Sequence, residues 1–351
     1  MKNIAFITGI GGQDGSYLAE LLISMDYKVY GIVRRNSILF NSKNIENIRE
    51  KVVLNYGDVN DALCIHRILT NIINENRDFD RFEMYNLAAQ SHVAISFDTP
   101  DYTTQTNING ALYILEFIRQ QPESLKMKMY FYQASTSEMF GEILENPQTE
   151  LTPFNPLSPY ACAKLNAHFL TKCYRNSYNI FACNGILFNH ESPRRGNNFV
   201  TKKIVLGLKK YIQIKDSLTK TSDAPLILGN INSYRDWGHA KDYVYGMWKM
   251  LNHNVPDDYI LSTNIKIKVK EFVDIVASKL GIKLKWYNES DELDIRAYDV
   301  NNDYLVVRTD EKYFRKNDVV ELCGDSTKAR TILGWTPNYN LNKLIDDMIK
   351  S

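Results

Sequence analysis

The sequence has little net charge and no long apolar run. Its 42 Lys and Arg residues balance 41 Asp and Glu residues, which leaves a formal net charge of +1. Proteins that bind nucleic acid usually carry a clear basic excess, so this balance argues against a nucleic-acid partner. No apolar run reaches membrane-spanning length, so we expect no membrane contact. The chain opens with a strand-like segment, and we expect no signal peptide.

Cysteine is scarce, and its positions form no recognisable pattern. The chain has five cysteines, and none lies at the short spacings of a disulfide framework or a zinc site. We therefore expect reduced thiols, no bound metal and a cytoplasmic location. The remaining composition, with 44% hydrophobic and 24% charged residues over 351 positions, is that of an ordinary globular protein.

The first half of the chain alternates short apolar segments with segments of helical period. Most of the apolar segments are nearly continuous, which is typical of parallel strands covered on both faces. The predicted strands are residues 3–8, 28–33, 51–57, 84–89, 128–135 and 181–187, and the predicted helices include 15–25 and 107–120. This alternation predicts an α/β fold with a doubly wound parallel sheet, the Rossmann architecture.

After about residue 189 the alternation becomes irregular. Residues 190–199, HESPRRGNNF, indicate a loop, and later helical patterns cover residues 270–281 and 341–350. We predict a first domain over residues 1–188 and a smaller C-terminal lobe over residues 189–351. Some later segments are expected to return to the first domain.

A glycine loop follows the first predicted strand and opens the first predicted helix. Its glycines allow the backbone to turn tightly and to approach a pyrophosphate, whose charge meets the helix N-terminus. We assign this loop to a cofactor, through Gly9, Gly12, Gln13, Asp14 and Gly15. The spacing differs from the commoner Gly-x-Gly-x-x-Gly, and a turn without a ligand is the alternative.

The end of the second predicted strand indicates which nicotinamide cofactor binds. An acidic residue at this point would accept hydrogen bonds from the ribose of NAD. The chain instead has Arg34 and Arg35, whose guanidinium groups suit a 2′-phosphate. We therefore predict an NADP-binding first domain, with a merely solvated arginine as the alternative.

Tyr160 and Lys164 are candidate reacting groups. They are four residues apart, on one face of a predicted helix. A tyrosine with a pKa of about 10 is a poor base at neutral pH, but a nearby ammonium group and a positive nicotinamide ring favour the phenolate. Tyr160 could then remove a hydroxyl proton as hydride leaves the same carbon. A chance pairing of the two residues is the alternative.

Thr136 and Glu138 suggest a second chemical step. Thr136 follows a predicted strand end, where ligands meet an α/β sheet, and its hydroxyl can hydrogen-bond the reacting alcohol. Glu138 can take a proton from the carbon beside a new ketone, after which water is eliminated. A plain dehydrogenase does not need this carboxylate. An acid that only stabilises a helix start is the alternative.

Together these residues resemble the extended short-chain dehydrogenases, and within them the GDP-mannose 4,6-dehydratase family. The resemblance covers nearly the full chain and includes STSEMFGE, SPYACAK, NHESPRRG and RDWGHAKDYV. It implies that Tyr160 takes the C4 hydroxyl proton while hydride passes from C4 to NADP, with Thr136 orienting that hydroxyl. Lys164 would hold the ribose and tune Tyr160, and Glu138 would remove the C5 proton and help the C6 hydroxyl leave. Return of the hydride to C6 would give a 4-keto-6-deoxy sugar nucleotide.

The resemblance also implies further binding residues by matched position. Those that would hold NADP are Asp58, Val59, Leu87, Ala88, Ala89, Ser91, Tyr102, Lys164, His190 and Arg195. Those that would hold the GDP-sugar are Ser91, Glu138, Asn189, Asn198, Lys203, Arg235, Arg315 and Asp318. Guanidinium and ammonium groups suit a diphosphate, although a structural histidine and solvated charges are the alternatives. A homo-tetramer, or a dimer, is expected by the same resemblance.

Three other functions stay open. A related group of dehydratases acts on GDP-D-glycero-D-manno-heptose and shares nearly all these motifs, and Asp318 stands where the family usually has glutamate. An epimerase or reductase on the same fold would keep Tyr160 and Lys164 but would not need Glu138. A non-catalytic NADP-binding protein would need none of the three.

Overall fold

The computed structural model describes residues 2–34, 43–217, 222–314 and 319–350. Within these ranges there are fourteen β-strands. In chain order they are β1 Asn3–Thr8, β2 Lys28–Val33, β3 Val52–Tyr56, β4 Arg81–Asn86, β5 Met129–Thr136, β6 Phe181–Leu187, β7 Asn189–Glu191, β8 Leu226–Leu228, β9 Tyr234–His239, β10 Asp258–Leu261, β11 Lys266–Lys268, β12 Leu284–Tyr287, β13 Arg296–Asp299 and β14 Leu305–Thr309.

The same ranges contain eleven α-helices. They are α1 Gln13–Ser24, α2 Ala62–Glu75, α3 Val93–Asp98, α4 Pro100–Arg119, α5 Glu123–Lys126, α6 Pro159–Tyr178, α7 Val200–Ile214, α8 Ala240–Leu251, α9 Val269–Lys279, α10 Thr327–Leu333 and α11 Leu341–Lys350. Short 3₁₀ segments cover Lys43–Lys51, Ser137–Met139, Lys215–Ser217 and Glu311–Tyr313. No helix in the described ranges is both long enough and apolar enough to cross a membrane.

The large sheet is parallel throughout and has the strand order β10-β6-β5-β4-β1-β2-β3. The chain winds outward from β1 in both directions, first through β2 and β3 and then through β4, β5 and β6. The carboxyl ends of β1 and β4 therefore form the switch point at which such sheets bind ligands. The predicted doubly wound parallel sheet is confirmed, and β10 from the second half of the chain adds its seventh strand.

Two elements begin three or more residues before their predicted start, and each of these two differences has a local cause. Strand β4 begins at Arg81 and not at the predicted residue 84. The prediction missed the first part of the strand because that part carries charged residues. Glu83 is nevertheless fully buried, where it accepts hydrogen bonds from Tyr27 (3.0 Å) and Tyr85 (2.7 Å). Helix α4 begins at Pro100 and not at the predicted residue 107. The prediction missed the first turns of the helix because their residues are polar. Proline suits the first helical position, where no intrahelical N–H bond is needed.

Helices cover both faces of the large sheet. Leu22 of α1 and Met247 of α8 lie in the apolar cluster on one face. Ile68 of α2 and Ile114 of α4 lie in the cluster on the other face, which also includes residues of α6. This two-sided burial is why the strands read as continuous apolar runs.

The second half of the chain builds two smaller sheets. One has the order β11-β9-β7, and the other has the order β12-β13-β14-β8. Helices α7, α9 and α11 share a separate apolar core with the four-stranded sheet. Since α8 and β10 pack with the large sheet, the chain crosses between the two regions more than once. The domain boundary at residue 189 stays a prediction.

Candidate active site

The glycine loop joins β1 to α1 at the switch point of the large sheet. Gly9 has a φ of +71°, a conformation that favours glycine. A Cβ atom on Gly15 would lie 2.3 Å from the Gly9 carbonyl oxygen, so only glycine fits there. Gly12 is the N-cap of α1 and has no side chain to occupy the first-turn N–H groups. These features fit a loop that receives a pyrophosphate.

Thr8, the last residue of β1, connects the glycine loop to the end of β4. Its hydroxyl oxygen accepts hydrogen bonds from the backbone N–H groups of Leu87 and Ala88, both at 3.0 Å. The same hydroxyl donates to Asn86 Oδ1 at 2.9 Å. Sequence analysis missed Thr8, although it precedes the first glycine directly. Its position shows that residues 87–88 are fixed against the loop, as a shared cofactor cleft would require.

Gln13 and Asp14 reach across from α1 to the first short strand of the smaller sheets. Asp14 Oδ2 lies 2.8 Å from His190 Nε2, and Gln13 Nε2 donates to the His190 carbonyl oxygen at 3.0 Å. Burial raises the pKa of Asp14, but the charge and hydrogen bond of His190 outweigh it and lower that pKa overall. At His190, burial lowers the pKa, but the charge and hydrogen bond of Asp14 outweigh burial and raise that pKa overall. Asp14 and His190 thus form a partly buried ion pair.

Other predicted cofactor residues border the same end of the sheet. Arg34 follows β2, and its Nη1 atom donates to the hydroxyl of Tyr102 at 2.6 Å. Asp58 follows β3 and accepts a hydrogen bond from Asn60 N at 2.9 Å. The remaining members differ in exposure: Val59 is buried, Leu87, Ala88 and Ala89 are half-buried, and Ser91 is exposed. Arg35 lies outside the described residues.

The four predicted reacting residues meet where β5 ends and α6 begins. Thr136 is the last residue of β5, and its hydroxyl accepts a hydrogen bond from Glu138 N at 3.3 Å. Tyr160 lies in the first turn of α6, and the nearby Thr136 side chain lowers the pKa of Tyr160 through hydrogen bonding. Lys164, one turn later, donates to the Ala134 carbonyl oxygen at 2.9 Å.

Burial dominates the ionisation of this group. It raises the pKa of Tyr160 to about 12, against the lowering effect of the Thr136 hydrogen bond. The nearby Glu138 carboxylate raises the pKa of Tyr160 further. Burial also lowers the pKa of Lys164 to about 8. In the protein alone, burial thus outweighs the groups that favour the phenolate of Tyr160. The expectation that Lys164 and a bound nicotinamide ring together favour the phenolate stays a prediction.

Several of the residues predicted to hold the sugar nucleotide lie on or next to the smaller sheets and α7. Arg235 of β9 is buried, and its Nη1 atom donates to the Tyr234 carbonyl oxygen at 2.8 Å. Lys203 is half-buried, with its ammonium nitrogen 3.7 Å from the centre of the Tyr313 ring. Asn198 is exposed. Arg315 and Asp318 lie outside the described residues.

Asn189 has an unusual acceptor atom. Across the described part of the chain, its buried Oδ1 atom is one of a few side-chain polar atoms without a hydrogen-bond partner. Such an atom usually has a reason, and a ligand donor is one. Asn189 begins β7, immediately before His190 in the chain.

Glu191 is a further polar residue that sequence analysis missed. It is 2% exposed, lies 3.1 Å from Arg195 Nε through its Oε2 atom, and accepts a hydrogen bond from Thr201 at 2.5 Å. It therefore fixes Arg195, a predicted cofactor residue, whose guanidinium also lies 3.7 Å from the Phe199 ring centre. Within the described ranges, no cluster of three or more His, Cys, Asp or Glu side chains is arranged to hold a metal ion.

Solved structures with a similar fold include enzymes that act on sugar nucleotides. The dTDP-glucose 4,6-dehydratase of Bacillus anthracis superposes with a TM-score of 0.75 at 20% identity, covering 99% of this chain and 96% of that one. The UDP-glucose 4-epimerase of Thermotoga maritima gives a TM-score of 0.74 at 21% identity, covering 99% and 97%. At these identities the similarity concerns the fold.

Relatives of known name are much more similar in sequence. The GDP-mannose 4,6-dehydratase of Vibrio cholerae serotype O1 is 44% identical over 365 residues, covering 100% of this chain and 93% of its own length. GDP-mannose 4,6 dehydratase 2 of Caenorhabditis elegans is 43% identical over 360 residues, covering 100% and 89%. The family model described as GDP-mannose 4,6 dehydratase matches residues 6–348. The chain belongs to the GDP-mannose 4,6-dehydratase family.

Proposed function

We propose that this chain is a hydro-lyase that converts GDP-mannose to GDP-4-keto-6-deoxymannose with loss of water. The observation that carries this proposal is the gathering of Thr136, Glu138 and Tyr160 at one point, where β5 ends and α6 begins. An epimerase or reductase would not need an acid beside the hydroxyl and the tyrosine. The names of the full-length relatives support the same substrate.

We assign the glycine loop to NADP. When bound, the cofactor supplies a reversible hydride acceptor. The first-turn N–H groups of α1 would face its pyrophosphate, and Arg34 would face a 2′-phosphate. The dTDP-glucose 4,6-dehydratases of Bacillus anthracis and Streptomyces venezuelae were solved with NAD, which supports a nicotinamide cofactor. The choice of NADP rests on Arg34, with Arg35 beside it in the sequence.

The reacting residues divide the proton transfers between them. Tyr160 takes the proton of the C4 hydroxyl, and Thr136 orients that hydroxyl by hydrogen bonding. Once C4 is a ketone, the proton on C5 is acidic, and Glu138 removes it. Glu138 then gives a proton to the C6 hydroxyl, which leaves as water. The partial burial of Glu138 beside the buried Thr136 restricts the access of bulk water to these steps.

The first test measures the product directly. The purified protein, with no cofactor added, is incubated with equimolar GDP-mannose and GDP-D-glycero-D-manno-heptose. The masses of the products are then measured by mass spectrometry. We expect loss of one water from GDP-mannose. Faster loss from the heptose would reassign the sugar and keep the reaction. No loss from either sugar by folded protein would refute the dehydratase proposal.

The second test separates dehydration from oxidation. Glu138→Gln should leave the first hydride transfer intact and block water loss, so absorbance at 340 nm accumulates on the enzyme without dehydrated product. Glu142→Gln is a matched control, because Glu142 is an exposed acid four residues further along. Unchanged turnover in Glu138→Gln would favour the epimerase or reductase alternative.

We also propose that the chain assembles as a homo-tetramer or a dimer. An exposed face of α6 supports this, because Cys162, Asn166, Phe169 and Cys173 recur along it at helical spacing. Phe169 is 50% exposed and borders an apolar groove lined by Leu165 and Leu170. Phe169→Glu should reduce the mass in light scattering, whereas Lys172→Glu on the same helix should not. A monomeric wild-type protein would contradict the proposal. We also propose a cytoplasmic location, as the cysteine pattern predicts.

A further inference from the structure

The buried face of α6 contacts β5 at successive turns. Tyr160 lies near the Thr136 side chain, and Lys164 donates to the carbonyl oxygen of Ala134. The next residue at the same spacing is His168, which is 2% exposed. Residues four apart on a helix share a face, so these three side chains form one stripe directed at the end of β5.

His168 makes its own contact with this strand, one residue before Thr136. Its Nδ1 atom lies 3.1 Å from Ser135 Oγ. Its Nε2 atom faces Asp258 Oδ2 of β10 at 3.7 Å. Asp258 is in turn held by Asn184 of β6 at 2.8 Å and by Arg175 of α6 at 2.9 Å. One histidine therefore lies at the junction of three neighbouring strands and the helix that carries Tyr160.

The chemistry of these neighbours selects one form of the imidazole. A proton on Nε2 faces the Asp258 carboxylate, which leaves Nδ1 to accept a hydrogen bond from the Ser135 hydroxyl. Burial lowers the pKa of His168 to about 4, with Asp258 opposing this and Lys172 and Arg175 adding to it. His168 is therefore neutral at neutral pH, and its two contacts do not change across that range.

We propose that His168 is a positioning residue, which sets α6 against β5 through Ser135 and thereby holds Tyr160 beside Thr136. The inference rests on the proposed role of Tyr160. Lys164 contacts β5 at the Ala134 carbonyl oxygen, and His168 adds a second contact one turn further along the helix. The His168–Ser135 contact involves neither the cofactor nor the sugar nucleotide. A misplacement of about 1 Å in a reacting group can cost about 100-fold in rate.

Three variants test this positioning role. His168→Phe removes both contacts and leaves a ring of similar size. His168→Asn retains an amide oxygen near the position of Nδ1, which can still accept from Ser135. Ser135→Ala removes the contact of His168 with β5, together with the 3.4 Å bond from Ser135 Oγ to Asn184 Oδ1, and carries the test if His168→Phe does not fold. Thr171→Val is the matched control, because Thr171 is a fully buried residue of α6 whose hydroxyl donates within the helix, to Ala167 O at 2.8 Å.

The measurements are kcat, KM, melting temperature and the pH profile of kcat, which reports the ionisation of the enzyme with its ligands bound. We expect His168→Phe and Ser135→Ala to lower kcat by about 10-fold or more, with KM within about 3-fold of wild type. His168→Asn should recover much of that loss. Since the Thr136 hydrogen bond lowers the pKa of Tyr160, its loss should move the acid limb of the profile to higher pH. Thr171→Val should change melting temperature only.

Two results would overturn the inference. One is an unchanged kcat in folded His168→Phe and Ser135→Ala. The other is an equal loss in Thr171→Val, which would indicate general destabilisation of α6. Tyr160→Phe separates this inference from the proposed function. If Tyr160→Phe is inactive and the His168 variants are fully active, only the inference fails; if Tyr160→Phe keeps full activity, the proposed function fails.

Discussion

Replacing Gly12 with alanine should weaken cofactor binding while leaving the fold nearly intact. Its φ of −74° is one that alanine adopts readily. An added Cβ would have a single neighbour within 4 Å, the Gly9 carbonyl oxygen at 3.2 Å. Alanine is a poorer N-cap than glycine, so we expect the free energy of unfolding to fall by about 1 kcal/mol.

The same substitution at Gly15 should behave differently. There the Cβ would lie 2.3 Å from the Gly9 carbonyl oxygen and 2.7 Å from Ile10 Cα. Both neighbours are backbone atoms, which cannot turn aside as a side chain can. Overpacking of this kind costs about 3 kcal/mol at the upper end of its usual range. Gly15→Ala should therefore lose stability and binding together, because the loop must open.

The assay measures NADP affinity by titration and stability by urea unfolding for both variants. A methyl group on residue 12 would stand beside the N–H groups that a pyrophosphate approaches. We expect the Kd of Gly12→Ala for NADP to rise at least about 10-fold, which corresponds to about 1.4 kcal/mol of binding free energy. Wild-type affinity in Gly12→Ala would refute the assignment of the loop to the pyrophosphate. Equal unfolding free energies for the two variants would refute the packing argument.

Three further substitutions test individual contacts. Arg34→Ala should raise the Kd for NADP at least about 10-fold and that for NAD by less than about 3-fold, because the lost charge-assisted bond is to the 2′-phosphate; equal losses in titrations with both cofactors would contradict this. Thr8→Val should cost about 2 kcal/mol in urea unfolding, because two backbone N–H groups lose their acceptor, whereas Thr8→Ser should stay near wild type. The Asp14–His190 ion pair should make stability depend on pH. The raised pKa of His190 gives a contribution that is complete below its ordinary value of 6.5 and is lost as the pH rises through the raised value. The lowered pKa of Asp14 preserves the contribution on the acid side until the pH falls through it. His190→Gln should therefore flatten the alkaline decline in melting temperature, and parallel curves would count against the pair.

The sequence was most informative where burial leaves a simple pattern. The bounds predicted for β1, β2 and β6 match to the residue, because both faces of these strands are covered and most of their residues are apolar. Strands of three residues, such as β7, β8 and β11, leave no such pattern. The two smaller sheets were therefore absent from the prediction, and only the loss of regular alternation after residue 189 indicated them.

The glycine loop and the reacting residues were predicted from their chemical type and their position at strand ends, whereas most of the further binding residues were predicted from the family resemblance alone. The residues that hold them in place were missed because their partners are distant in sequence. Thr8 contacts residues 79 and 80 positions away, and Ser135 contacts His168 across 33 positions. A buried threonine or histidine gives no sign in one sequence of which distant backbone it will meet. Local patterns thus identify reacting groups better than the contacts that orient them.

The raised pKa of Tyr160 determines when its proton can leave. With a pKa of about 12, deprotonation of Tyr160 at pH 7 is unfavourable by about 7 kcal/mol of free energy. The free protein should therefore hold Tyr160 protonated, and proton loss should require the bound ligands to supply the missing stabilisation. The ¹³Cζ resonance of Tyr160 can be assigned by comparison with Tyr160→Phe. In the protein without ligands, we expect this resonance not to titrate between pH 6 and pH 10. A titration inside that range would show that the protein alone stabilises the phenolate, and the dominance of burial in this site would be refuted.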